Sequence, residues 1–229
     1  VGAGGDNAKK TLMAVEIAFG AEAESYEQCW WPYTYGISRM LAGMKRPGEG
    51  SLGSTWAKAI TEYGSFDKDE SGLPQFKTNQ GWLQLSKSEE LKWSDGTAHV
   101  EKWKDKGLQH LVKTAARMRS ADDCVEAIMG AKSPLTVASS YGYAMVAKPV
   151  GDPPVRLARR STTWHHQQWF DEAWDHPTIG MIFRKGNNWG PGAHGSPTGD
   201  EPPGGFYVDF KTMDGLCKSG EVYALSHFD

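Results

Sequence analysis

The chain has 229 residues, enough to bury a real core as one large domain or one domain of two packed lobes, and one domain is expected. A formal net charge of -3 excludes the strongly basic field of a nucleic-acid binder, and Lys102, Lys104 and Lys106 alternate with Glu101 and Asp105 as on a solvated helix face. No stretch approaches the roughly 20 apolar residues of a membrane span, so neither a nucleic acid nor a membrane is expected as partner.

In chain order, Ala8, Leu12, Val15 and Phe19 recur at helical spacing, predicting a largely buried helix from Asn7 to Phe19, capped by Asp6 or Asn7 and ended by Gly20. After an acidic stretch, an aromatic cluster interrupted by Pro32 precedes a short helix ending near Gly43. A helix over Leu52 to Tyr63 is closed by Gly64, with Trp56, Ala59 and Ile60 inward, and residues 67–81 read as loop. Charged, moderately amphipathic sequence fills Ser86 to Arg119. Ser120 then caps a helix to Met129 that leads into a strand over Pro134 to Ser139.

The second half is strand-like over Trp164 to Phe170, Thr178 to Phe183, Gly205 to Phe210 and Glu221 to Ser226, with Gly/Pro-rich loops between. A helical half followed by a β-rich half predicts an α+β fold of two lobes, about 1–119 and 120–229. Ten tryptophans are read as packing rather than as a carbohydrate groove. A glycan-directed amidohydrolase rests only on those rings and the loop Gly190 to Gly205.

Cys29, Cys124 and Cys217 are odd in number and far apart, so no disulfide framework and no CxxC metal pair is expected, and Cys124 and Cys217 are read as structural. His165, His166, His176 and His194 lack regularly spaced carboxylate or cysteine partners, so neither metal nor cofactor is expected. Val1 opens a glycine-rich VGAGGD with no initiator Met, which reads as a processed or truncated chain.

Two features carry candidate chemistry: His165-His166 in TWHH, and Asn187-Asn188 before Trp189. A cysteine nucleophile needs a base to lower its pKa, and a neutral Asn carbonyl can hold that base's ring without adding charge. The plain alternatives are a histidine pair on a strand surface and a turn at NNWG.

Five segments resemble those of the papain-like cysteine peptidases, in that family's order: GEGSLGSTWAKAITEYG, SADDCVEAIMGAKSPLTVASSYGYAM, STTWHHQQW, GNNWGPGAHG and GGFYVDF. They run from about Glu49 to Phe210. The resemblance implies a papain-like two-lobed α+β fold with a cleft between the lobes, and a peptide or protein substrate. It implies His166 as base, with His165 the alternative, Asn187 orienting the ring and Trp189 shielding that hydrogen bond. Asn188 departs from the family's serine.

Cys29 in EQCWW superficially matches the family's nucleophile, but the short interval to Glu49 leaves no room for two helices and a connection. The helix ending in LMAVEI instead resembles the central helix of phage-type and bacterial members. Aligned so, the cysteine falls immediately before Val1, and Val1 is expected beside His166. Two readings stay open: a cysteine peptidase whose nucleophile lies outside this sequence, and an inactive papain-like component of a phage particle or other assembly. Localisation stays open, a virion and secretion being the settings the resemblance suggests.

Overall fold

The computed structural model describes residues 2–18, 29–44, 50–67, 72–73, 78–79, 82–83, 85–144, 146–186 and 192–228. Helix α1 (Gly2–Ala18) begins five residues before the expected start, so Asp6 and Asn7 stand inside it rather than at its cap. Packing outweighs the poor helix propensity of the glycines there. A Cβ on Gly5 would meet the Trp56 ring at 2.2 Å, so only glycine lets the helix lie against that side chain. Ala8, Leu12 and Met13 are buried, but Ile17 is 37% exposed, so the last turn of α1 leaves the core, against expectation.

Helix α2 (Trp31–Leu41) carries Pro32 in its first turn, where no backbone N–H is needed, and nearly all of it is buried. Gly43, at φ +70°, follows it. Helix α3 (Gly53–Glu62) ends at Gly64, whose φ of +74° and approach to Gly107 leave no room for a side chain. Inside the expected loop of residues 67–81 lies β1 (Thr78–Asn79), which pairs with β2 (Trp82–Leu83) just beyond it. The charged region resolves into α4 (Lys87–Trp93), opened by a Ser86–Glu89 capping box, and α5 (Thr97–Gly107). Around these helices Trp30, Tyr33, Ile37, Phe66, Trp93 and Trp103 form an aromatic core. The tryptophans there are packing residues.

The β-rich lobe adds α6 (Ala121–Val125), capped by Ser120 and prolonged by a π turn over Glu126–Gly130, and α7 (Phe210–Ser219), capped by Asp209. Its strands are β4 (Leu135–Tyr143), β5 (Lys148–Val150), β6 (Val155–Leu157), β7 (Arg160–His176), β8 (Gly180–Gly186), β9 (Gly205–Asp209) and β10 (Glu221–Phe228). With β3 (Val112–Arg117), which was not expected, they form one sheet in the order β3-β10-β4-β7-β8-β9-β6-β5. Strand β7 is longer than expected because β4 and β8 flank it and a tight turn joins it to β8.

The core of this lobe gathers Leu135, Phe170, Phe183, Phe206, Met213 and Leu216, with α6 and α7 packed over the sheet. A separate cluster of Ala8, Leu12, Trp56, Ile60, Val112 and Leu225 joins α1 and α3 to β3 and β10. Burying those six apolar side chains on a shared face is what holds the helical half against the sheet.

Candidate functional site

Both histidines sit on β7. Ser139 of β4 faces His166, yet Tyr141 faces Thr163, so two steps along β4 match three along β7. The extra residue is a β-bulge at Trp164–His165. A strand normally sends neighbours to opposite faces, and a bulge cancels that alternation for one pair. His165 and His166 therefore line the same groove, the first exposed and the second half-buried.

The groove holds about 570 Å³ between the helical elements and the sheet. Trp31 and Tyr35 of α2, Gly50 to Gly53 and Glu90 form one wall. Ala138 to Ser140, the two histidines and Ser219 to Glu221 form the other. Behind it, His166 also borders a small recess of about 20 Å³ with Tyr143, Trp164, His194 and Phe206. Beneath the histidines Gln167 is fully buried and donates to the Thr136 hydroxyl at 2.6 Å, which fixes the strand register under the site.

The helical wall is held by buried polar contacts. Arg39 is almost fully buried and donates to the carbonyls of Gly50 at 2.6 Å and Ser94 at 3.2 Å, tying the groove's lip to α2 and α4. Ser38 bonds Ser51 at 2.5 Å and Thr55 at 3.1 Å. Burial raises the Tyr35 hydroxyl above its ordinary pKa, with Arg39 opposing and Glu90 adding, so it stays a neutral donor. At the floor, Glu221 accepts the Gly53 N–H at 2.7 Å, a carboxylate on the first turn of α3.

Among the described residues, no cysteine lines this groove. Cys29 is buried and bridges Asp67 beside the aromatic core, while Cys124 and Cys217 lie in the core of the sheet lobe. Cys217 stands on α7. Val1, Asn187, Asn188 and Trp189 lie outside the described residues.

The whole chain superposes on solved structures of one kind. Xylellain, a cysteine protease from Xylella fastidiosa, matches at TM-score 0.60 and 12% identity over 98% of this chain and 80% of that one. The fold is that of the papain-like cysteine proteases. Digestive procathepsin L 3 of Tenebrio molitor matches at TM-score 0.51 and 12% identity over 96% of this chain and 62% of that one. Bromelain from Ananas comosus, solved with the E64 inhibitor, matches at 0.50 and 12% over 98% and 90%. No protein-family model and no curated protein matches the sequence, so the likeness is one of fold.

Within this papain-like fold the groove lies between the helical and β-rich lobes. Sequence reading missed Arg39, Glu221 and Gly53 as its supports. Arg39 looked like an ordinary charge in an amphipathic helix, and Glu221 looked like the polar start of a strand. Only the contact across 168 positions distinguishes the latter.

Proposed function

We propose that this chain is the peptide-hydrolysing domain of a papain-like cysteine peptidase, with His166 as base, Asn187 as its orienting partner and Trp189 as shield. One observation carries the reading: the β7 bulge presents two imidazoles on the wall of a groove of about 570 Å³. In this reading the nucleophile is a cysteine preceding Val1, at the head of α1, where free backbone N–H groups favour a thiolate. The thiolate attacks the peptide carbonyl, and His166 gives its proton to the leaving amine. Water deprotonated by the same ring then releases the acid from the thioester. We also propose that residues 1–229 act as one domain whose lobes divide near residues 119 and 120.

The test uses the encoded chain with its upstream residues, assayed on a fluorogenic peptide library. Hydrolysis is expected, with His166→Ala lowering kcat/KM by about 10² to 10⁴-fold. His165→Ala should leave most of the activity, and iodoacetamide should label one upstream cysteine in step with inactivation. A large loss in His165→Ala with activity kept in His166→Ala would move the base to His165.

A second reading, an inactive groove that binds peptide within a phage particle or other assembly, is favoured by the absence of any described cysteine from the groove. Peptide binding without turnover in the upstream-extended chain would establish it.

A further inference from the structure

The sequence offers no disulfide framework, yet the fold brings two cysteines together from opposite ends of the β-rich lobe. The Sγ atoms of Cys124, on α6, and Cys217, on α7, lie 3.4 Å apart across 93 positions of chain. Cys124 is fully buried and Cys217 is 3% exposed, both within the same apolar core. Cys217 also bonds the Ser120 carbonyl at 3.3 Å, which aims its sulfur at the first turn of α6. A covalent bridge has its sulfurs about 2.05 Å apart, so closing this pair needs a movement of roughly 1.4 Å, within what two short helix ends can give.

We propose that Cys124 and Cys217 form a disulfide that ties α6 to α7 whenever the protein meets a disulfide oxidant. The step is thiol–disulfide exchange. One thiolate attacks a low-molecular-weight disulfide such as oxidised glutathione and expels one glutathione thiolate. The second cysteine, losing its proton to solvent, then attacks the mixed disulfide and expels the other. Two protein thiols are oxidised and one external disulfide is reduced to two thiols.

Cys217 is the attacking group. The contact between the two sulfurs and burial in the apolar core raise the Cys124 thiol and hold it protonated. Cys217 also lies near the end of α7, where local opening exposes it first. The pairing is independent of the peptidase reading, because neither sulfur lines the groove.

The experiment equilibrates the native chain with oxidised glutathione, quenches with acid, alkylates under denaturing conditions and maps peptides without reduction. A Cys124–Cys217 cross-linked peptide, with Cys29 the one alkylated thiol left within residues 1–229, and a mass loss of about 2 Da are expected. The oxidised form should melt about 5–10 °C higher, and dithiothreitol should erase that gain. Cys217→Ser should abolish both the cross-link and the reductant-sensitive shift, and Cys29→Ser should abolish neither. Three alkylated thiols after oxidation, a stalled glutathione adduct on Cys217, or a cross-link through Cys29 would each overturn the assignment. The wild-type peptide map decides the matter even if a serine variant fails to fold.

Discussion

Lys185 reaches the interior of the sheet lobe with an amine and no hydrogen-bond acceptor for it among the described residues. Its Nζ stands 3.6 Å from the centre of the Tyr143 ring, with Phe206 and Phe170 slightly farther away. Ring faces offer a desolvated cation about 2 kcal/mol, whereas removing an ion from water costs several kcal/mol. Burial therefore drives its pKa well below the ordinary 10.5. Below 10.5 the unfolded chain binds a proton that the folded amine declines, so this residue makes stability rise with pH up to that point. Lys185→Met should stabilise the protein at pH 7, removing the work of deprotonating the amine on folding as well as the cost of about 1–3 kcal/mol for leaving a buried donor unpaired. Urea unfolding at pH 7 and pH 10 should show the advantage shrinking at the higher pH, and a constant gap would contradict a neutral buried amine. Alternation along β8 puts Lys185 on the same face as Phe183, a clue in the sequence that its charge concealed. The histidines were nameable from sequence because imidazoles are chemically distinctive wherever they sit.

Among the elements, β6 and the loop before β9 depend on one ion pair. Glu201 takes the Arg156 backbone N–H at 2.5 Å and its Nε at 2.6 Å, while the guanidinium donates to the Gly195 carbonyl at 2.7 Å. Both side chains are nearly sealed from water, at 2% and 5% exposed. Glu201→Ala would strand a buried cation and is expected to destabilise the fold by about 3–5 kcal/mol. Urea unfolding measures this, and a loss below 1 kcal/mol would show that water replaces the carboxylate. The helices α2, α3 and α6 were legible because proline, glycine and serine punctuate them. Strand β3 and helix α7 were not, since β3 is specified by pairing with β10 and α7 by packing on the sheet core. The bulge on β7 could not be read from TWHH at all: it is a mismatch with β4, so it exists only once the partner strand is in place.

At the scale of the whole molecule, the contrast between a helical first half and a turn-rich second half was enough to predict two lobes, because short strands need frequent turns. One polar contact between them was invisible. A Cβ on Gly53 would come within 2.6 Å of the Ala138 Cβ, so glycine lets the head of α3 reach the sheet, where Glu221 receives its first N–H. Glu221→Ala should cost about 1–2 kcal/mol, the usual loss of a helix-capping acceptor, and Glu221→Gln less because its amide oxygen still accepts. Thermal melts of the two variants should rank in that order, and equal losses would assign the effect to charge alone.

This bond also acts as a hinge pin. Walls fastened at the floor cannot part there without breaking it, so the spacing at the base of the groove is set by the chain itself, through one carboxylate and the head of one helix.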